Sequence, residues 1–351
     1  MTENTENVFI EAFRTGIPPH AIGVLDTDYI FDEVVLETES SAGSSFFKIS
    51  RFKSITWLAS NHIYDEMYKP EMSGSQIKNG FENKFEKMSE QALLKRNVSI
   101  PASKYCQTFE EKFLPHIRFV EVPEDLALEW KEQIPVRGMS DWPTVQLAAL
   151  VAPAIIYTRN LKDLAVFAPN DIVPLTKAGE DVANGDALFA GGTLVVGGSG
   201  VGAIEITKRV AKALGIPPLI VGTIGIVIII CILHDSERRM KANKFINAVL
   251  EIVGPVVEST RAAKTLFREC EVLPRPNPSL TELIGQLLVR SRPLLAQEIY
   301  EKLVAGHQVP FISINEVRNA LKSCPSFVHP HGERYRWQVG IRREPYRLFN
   351  G

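Results

Sequence analysis

The sequence predicts an α/β fold built on a parallel sheet, followed by an apolar segment and a small α+β module. Strand-like and helix-like segments alternate over the first part of the 351-residue chain, an order typical of a parallel sheet covered by helices. Glycine-rich, apolar sequence begins at Ala187, and a proline-marked linker at Pro274–Pro278 precedes three helical segments and a strand pair. We therefore expect three parts, residues 1–180, 181–260 and 275–345.

The bulk composition excludes several classes of site. The formal net charge is -2, from 39 basic and 41 acidic residues, so a nucleic-acid partner would have to bind at a local patch. The four cysteines are scattered without a CxxC pair, which argues against a zinc site or a disulfide framework. Residues 1–8 are acidic and polar, so we expect no cleaved secretory signal and a cytoplasmic setting.

Apolar runs and turn signals place the elements of the first part. The predicted strands are Ala21–Leu25, Ser54–Leu58, Ile117–Val122 and Ala154–Tyr157. The predicted helices run from Thr27 through Val35, over Ser60–Tyr68, over Phe81–Lys95 as an exposed helix, and from Asp141 through Val151. Pro143 favours the first turn of that last helix. In a parallel sheet the ends of such strands meet at one edge, where α/β proteins place their chemistry.

Four acidic residues lie at or beside these strand ends and helix starts: Asp26, Glu66, Asp141 and Asp163. Carboxylate oxygens suit hard cations such as Mg²⁺ or Mn²⁺, and several like charges at one edge are tolerable when a metal ion offsets their repulsion. Such an ion can activate water and stabilise the charge that develops on a phosphodiester. Taken singly, Asp141 could be a helix N-cap and Glu66 a surface residue.

The motifs around these acids resemble those of the PIN domain family of ribonucleases, over about residues 21–170. The apolar strand that ends in Asp26 and continues with Thr27 and Asp28 matches the family's first motif. The helix carrying Glu66 and the stretch Phe119–Pro123 extend the likeness. Ser140–Thr144 and the turn from Thr158 to Leu164 match it most closely.

The resemblance implies roles for the individual residues. Asp26, Glu66, Asp141 and Asp163 would bind one or two Mg²⁺ or Mn²⁺ ions, at which water attacks RNA phosphates. Thr158 would position a water or a carboxylate, and Asp28 would support the site or cap a helix. Asn160 departs from the pattern, because many relatives have an aspartate there, although Asp163 can fill that position. A PIN fold whose site no longer cleaves RNA therefore remains an alternative.

The middle part contains two apolar stretches, Ala187–Ile206 and Ile216–Leu233. The second is nearly free of charge and has about the minimum length of a membrane span, so we expect a membrane hairpin that keeps both flanking parts in the cytoplasm. A buried core helix is the alternative, although such a helix normally has a polar face. The string Gly198-x-Gly200-x-x-Ala203 suggests a dinucleotide-binding turn, but the acidic ribose partner expected downstream is missing.

The C-terminal part has the element order of a winged helix. Helices are predicted over Leu280–Val289, Leu295–Leu303 and Ile314–Leu321, followed by a hairpin of Phe327–Val328 and Tyr335–Val339. It resembles the HARE type of winged helix. A nucleic acid would be contacted by the third helix and the hairpin, through Asn315, Arg318, Asn319, Lys322, Arg334 and Arg336. Because many winged helices bind protein, a protein partner stays open.

These expectations combine into two hypotheses of different classes. The first is an Mg²⁺- or Mn²⁺-dependent endoribonuclease of a prokaryote, anchored at the inner membrane, with RNA as substrate and the winged helix as recognition module. A toxin-like or defence role is compatible with it, and PIN relatives often form homodimers. The second is a non-catalytic regulator that binds nucleic acid or protein through the winged helix.

Overall fold

The computed structural model describes residues 21–41, 43–50, 55–73, 76–80, 82–87, 100–134, 136–168, 173–183, 258–306 and 312–344. They form an α/β fold with a mostly parallel five-stranded sheet flanked by helices. The chain divides into two compact units, the first from residues 1–44, 55–172 and 270–351, the second from 45–54 and 173–269. The sheet, its helices and the C-terminal module all belong to the first unit.

The strands and helices are numbered along the chain. The strands are β1 Ala21–Leu25, β2 Ile55–Ser60, β3 Pro70–Ser73, β4 Gln76–Asn79, β5 Ile117–Val120, β6 Ala154–Tyr157, β7 Glu271–Val272, β8 Leu294–Leu295, β9 Phe327–Val328 and β10 Arg336–Val339. The helices are α1 Thr27–Glu39, α2 Ser45–Ser50, α3 Asn61–Tyr68, α4 Ala102–Thr108, α5 Trp142–Val151, α6 Leu161–Leu164, α7 173–183, α8 258–270, α9 Leu280–Val289, α10 Ala296–Ala305 and α11 Ile314–Ser323.

The five-stranded sheet has the order β5-β2-β1-β6-β7, and every pairing except β6–β7 is parallel. Every residue of β1 is buried, as its unbroken apolar run predicts for a strand covered on both faces. Leu25 lies opposite Ala59 on one side and Tyr157 on the other. The residues that follow these strands therefore leave the sheet side by side, at one edge.

Helix α5 is apolar on all sides because it is enclosed on all sides. It packs on β1, β2 and β6 and against α9 of the C-terminal module. Its one long polar side chain, Gln146, donates from Nε2 to the carbonyl oxygens of Pro123, Glu124 and Leu126 at 2.9–3.0 Å. The two hydrogens of this buried amide, shared among the three backbone acceptors, stabilise the loop after β5.

The C-terminal module follows the predicted order of helices and strands, with β8 added between α9 and α10. Its three strands form an antiparallel sheet in the order β8-β10-β9. Ser279 and Glu282 form a capping box at α9, and Ser313 and Glu316 form another at α11. These four polar residues set the starts of the two helices.

The expected boundary near residue 275 does not separate two hydrophobic cores. One cluster of buried side chains runs from β1 and α5 into α9, α10 and α11. The guanidinium of Arg290 on α9 donates to the carbonyl oxygens of Val151 and Ala152, at 3.0 and 3.3 Å, and caps the end of α5. Val272, in β7, extends the sheet next to β6. The sheet and the module therefore fold as one unit.

The crossing of α5 and α9 depends on Gly285. A Cβ atom at this position would lie 2.5 Å from the carbonyl oxygen of Leu150. We expect Gly285→Ala to destabilise the unit by about 1–3 kcal/mol, because the two helices must separate. Urea unfolding followed by tryptophan fluorescence measures this, and Gly306→Ala is the control, since Gly306 is exposed at a φ of -75°. Equal unfolding midpoints for the two variants would contradict the expectation.

Most of the predicted elements of the first part are confirmed, and one is only partly right. The helix expected over Phe81–Lys95 is described only at 82–87, and it is not exposed throughout. Phe85 is fully buried and stacks on Tyr105, with ring centroids 4.9 Å apart. The hairpin β3–β4 and the short strands β7 and β8 were not predicted.

The second unit is described only through its helices α2, α7 and α8. Lys48 forms an ion pair with Glu180 at 3.3 Å, and the Thr260 hydroxyl donates to the carbonyl oxygen of Asp181 at 3.0 Å. The apolar stretches 187–206 and 216–233 lie outside the described residues. In the part of the chain that is described, no helix combines the length and apolar character needed to cross a membrane.

Candidate active site

Asp26 is the first residue after β1 and begins α1. Its Oδ1 accepts a hydrogen bond from the backbone N–H of Thr27 at 2.7 Å, and its Oδ2 accepts one from the Thr158 hydroxyl at 2.5 Å. Only 5% of the residue is exposed. The carboxylate is therefore held on both oxygens at the edge of the sheet, as the strand-end pattern predicts.

Asn160 connects Asp141 and Asp163. Its Nδ2 donates to Oδ2 of Asp141 at 2.8 Å and to Oδ2 of Asp163 at 3.1 Å. Its backbone N–H donates to the hydroxyl oxygen of Thr158 at 2.9 Å, and that hydroxyl in turn binds Asp26. Three of the four predicted acids therefore belong to one hydrogen-bond network, joined through two residues of the turn after β6.

The side chain of Asp141 does not act as a helix cap. Asp141 is in the N-cap position of α5, yet its side chain accepts no hydrogen bond from the first turn of that helix. Its oxygens accept instead from the Ser140 hydroxyl at 3.2 Å and from Asn160. Asp141 therefore occupies the N-cap position without a capping hydrogen bond from its side chain, and its carboxylate belongs to the network of Asn160.

The electrostatics of the site follow from burial and crowding. Burial raises the pKa of the Asp26 carboxyl to about 6, the Thr158 hydrogen bond opposes this rise, and the charge of Asp141 adds to it. His62 lies within the field of the same cluster. Burial lowers the pKa of His62, and the carboxylates of Asp141 and Asp65 oppose that shift. A cation at this edge would relieve the unfavourable charge on Asp26.

Glu66 is not brought into this network among the described residues, where it lies exposed on α3. On α3, the charges of Asp141 and Asp65 both act on His62. Nδ1 of His62 lies 2.9 Å from the Ser60 hydroxyl, and Asn61 donates to Asp65 at 3.1 Å. Asp65 is therefore a better candidate than Glu66 for the acid of this helix. The signal that could have found it is position, since 61–65 is the first turn after the end of β2.

Two ion pairs lie on the side of α1 next to Asp26. Lys84 binds Asp28 at 2.9 Å, and Arg159 binds Asp32. Burial raises the pKa of Asp32, while the nearby Arg159 opposes the rise. The Asp28 carboxylate accepts a hydrogen bond from Lys84, and its negative charge adds to the rise in the pKa of Asp26. Two partly exposed cations therefore lie beside the acidic cluster.

The donor types at this edge fit a divalent cation. Carboxylate oxygens of Asp26, Asp141 and Asp163 are ligands that Mg²⁺ and Mn²⁺ prefer. In the structure the amide hydrogens of Asn160 supply the positive group between Asp141 and Asp163. Within the described ranges, no three or more His, Cys, Asp or Glu side chains are arranged as a metal site. An ion bound here would take over the neutralising role of the Asn160 amide.

The C-terminal module presents a polar face on α11, while Val317 and Leu321 of the same helix are buried. The exposed residues that were predicted to contact nucleic acid are Asn315, Arg318, Asn319, Lys322 and Arg334. Tyr335, next to Arg334 in the turn before β10, is 79% exposed. Two exposed cations on α11, Arg318 and Lys322, and a third in the turn before β10, Arg334, could meet a polyanion.

Arg336 differs from the other predicted nucleic-acid ligands, because it is used within the module. Its guanidinium donates to the carbonyl oxygen of Pro293 at 2.9 Å and lies 3.7 Å from Glu298 and 3.5 Å from Glu333. The side chain is about one third exposed. We therefore correct its role. Arg336 connects β10 to the residue before β8, and two nearby carboxylates largely neutralise its charge.

Comparisons of this chain with family models, with curated proteins and with solved structures found no match.

Proposed function

We propose that the chain is a metal-dependent endoribonuclease of the PIN type. The observation that carries this proposal is the single hydrogen-bond network through which Thr158 and Asn160 hold Asp26, Asp141 and Asp163 together. Several carboxylates at the end of a parallel sheet are costly in a protein that has no cation for them. Their maintenance by dedicated polar partners supports a role as ligands.

The residues of the chain divide the work of the reaction. Asp26, Asp141 and Asp163 would hold Mg²⁺ or Mn²⁺, which supplies an activated water and neutralises charge on the phosphodiester. Thr158 and the Thr27 N–H orient Asp26, and Asn160 orients the other two acids. Lys84 and Arg159 form partly exposed ion pairs with Asp28 and Asp32, and these pairs limit the negative charge that an RNA backbone meets at this edge.

The test is cleavage of a single-stranded RNA by the full chain. The full chain is needed because β7 and α9 complete the sheet and cover α5. We expect cleavage with Mn²⁺ or Mg²⁺ and none with EDTA, and release of fragments from a circular RNA would establish an endonuclease. A wild-type chain that binds Mn²⁺ but leaves RNA intact would overturn the proposal.

An alternative is a non-catalytic regulator, and one observation favours it. The Asn160 amide already compensates Asp141 and Asp163, so these acids have a partner without any metal ion. In that case the C-terminal module, which we propose is a winged helix, would carry the function through the exposed face of α11. Binding of DNA, RNA or protein that does not respond to Asp26→Asn or to EDTA would support the regulator.

We also propose membrane association, on the strength of the apolar run 216–233 alone. Its lack of charge and its length are those of a short membrane span. After lysis we expect the chain to sediment with membranes and to stay there through a high-salt wash. Release by salt would exclude an inserted segment.

A further inference from the structure

The segment that leaves the C-terminal module returns to the main sheet. Ile341 pairs with Phe119 of β5 through two backbone hydrogen bonds, of 2.7 and 3.0 Å. Gly340, at a φ of +61°, allows this approach, because a Cβ there would lie 2.6 Å from the Val120 side chain and 2.7 Å from the Phe119 carbonyl oxygen. We call residues 340–344 the C-terminal strap.

The strap brings one arginine to the start of α3. A terminal nitrogen of Arg343 donates to Oδ1 of Asn61 at 2.7 Å, and its guanidinium carbon lies 5.4 Å from the centre of the Tyr64 ring. The Tyr64 hydroxyl donates to the carbonyl oxygen of Glu344 at 3.0 Å. Two contacts to α3 therefore fix the position of the guanidinium.

Asn61 places Arg343 at the same edge as the carboxylates. It follows Ser60, the last residue of β2, and β2 pairs with β1 so that Ala59 lies opposite Leu25. Asp26 and Asn61 thus leave adjacent strands at the same level of the sheet. Asp26, Asn61 and Arg343 are far apart in the sequence, and the fold brings them to one edge of the sheet.

Arg343 differs from the other cations near this edge in having donors to spare. Lys84 and Arg159 are paired with Asp28 and Asp32. Arg343 has no carboxylate partner among the described residues, and its hydrogen bond to Asn61 uses one N–H of the terminal nitrogens. A guanidinium carries five N–H donors in a planar fork that matches a phosphate. A fixed, unneutralised guanidinium is therefore suited to an anion.

We propose that Arg343 forms a phosphate subsite for an RNA strand that runs from the acidic cluster across the start of α3. This inference rests on the proposed ribonuclease function, which identifies the anion as a backbone phosphate. The acidic cluster repels the strand, and the cation held against Asn61 offsets that repulsion. Arg343 is a binding residue, since it contacts a phosphate of the strand and takes no part in the reaction at the carboxylates.

The test measures binding of a labelled single-stranded oligouridylate to the full chain, with Ca²⁺ in place of Mn²⁺, over a range of salt concentrations. The Arg343→Ala variant should bind the oligouridylate about tenfold less tightly than the wild type, or weaker still, because it loses a charge-assisted contact. It should also lower the slope of log affinity against log salt by about 0.7, the value for one phosphate contact on a single strand. Arg343→Lys should keep the slope and recover part of the affinity.

Two control variants make the result specific. Arg342→Ala removes the same charge from the neighbouring strap residue, which is exposed and acts on His116 and Arg118 instead of Asn61. Tyr64→Phe removes the strap's hydrogen bond to Glu344 and keeps the charge of Arg343. We expect both to retain the wild-type salt slope.

The outcomes separate this inference from the function on which it rests. If the wild type cleaves RNA and Arg343→Ala binds like Arg342→Ala, the subsite is overturned and the ribonuclease stands. If Tyr64→Phe reproduces the loss of affinity and slope, Arg343 acts only through the strap, which also overturns the subsite. If Arg343→Ala loses the contact and the wild type does not cleave, the subsite stands and the ribonuclease fails.

Discussion

Asp26→Asn is expected to make the first unit more resistant to urea than the wild type at neutral pH, by about 3 kcal/mol. The reason is the rise in the pKa of Asp26 from 3.8 in an unfolded chain to about 6 in the folded one, at 1.36 kcal/mol for each unit. Above that pKa the folded protein holds a buried negative charge that the unfolded chain exposes to water. Asparagine has nearly the same shape without the charge, so the variant avoids that cost. Its single carboxamide oxygen can accept only one of the hydrogen bonds from Thr27 and Thr158, so about 3 kcal/mol is the upper value of the gain.

The sign of the pH dependence provides the sharper measurement. Because the folded state binds a proton more tightly than the unfolded one, the contribution of Asp26 to stability falls as the pH rises from about 3.8 to about 6. The advantage of Asp26→Asn should therefore vanish below that window and be complete above it. All four tryptophans, at positions 57, 130, 142 and 337, lie in the first unit, so their fluorescence reports its unfolding.

Asp28→Asn is the matched control for this experiment. Its carboxylate is two residues away from Asp26, is 55% exposed and pairs with Lys84, so its removal should change stability little. The measurements are made in EDTA, so that no bound cation stabilises the wild type. A difference between wild type and Asp26→Asn that stays constant from acid to neutral pH would contradict the burial of an ionised carboxylate.

The convergence of three acids could be predicted from the sequence because it depends on topology. Asp26 follows β1, Asp141 precedes α5, and Asp163 lies on α6, the short helix after β6. Parallel strands bring such positions to one edge whatever the packing details are. The expected role of Thr158 came from the resemblance to the PIN family, and the register of the sheet explains its contact with Asp26, since Tyr157 lies opposite Leu25.

The fourth acid could not be chosen reliably, because the choice depends on the rotation of one helix. Asp65 and Glu66 are neighbours, both exposed on α3, and a single residue changes direction by about 100° around a helix axis. We favour Asp65, because its carboxylate accepts a hydrogen bond from Asn61 and its charge acts on His62. A sequence pattern predicts where a helix begins and ends to within a few residues, but it does not predict how the helix is rotated about its own axis.

Contacts between distant parts of the chain also escaped sequence reasoning. Arg336 was expected to face a ligand, yet its partners Pro293 and Glu298 come from another element of the module. Arg343 was not predicted as a site residue, because its position at this edge depends on a contact with Asn61, 282 residues earlier in the sequence. Periodicity describes which side of an element is buried, whereas these contacts depend on how whole elements pack.

Asp141→Asn is expected to lower the rate constant of RNA cleavage by a factor on the order of 10³, because a lost ligand weakens a metal-dependent step by several kcal/mol. Asp141 is chosen because it connects the network to α5 and its side chain caps no helix, so the variant should stay folded. Mn²⁺ affinity, measured by calorimetric titration, should fall in parallel.

The two neighbours on α3 supply the comparison for this last result. Asp65→Asn should reduce the rate of RNA cleavage, and Glu66→Gln should leave it near the wild-type rate. The reason is that the charge of Asp65, like that of Asp141, acts on His62. A strong effect of Glu66→Gln would restore the sequence-based assignment of that acid. Wild-type cleavage by Asp141→Asn would mean that this carboxylate serves the fold and that the hydrogen bond from Asn160 is its whole purpose.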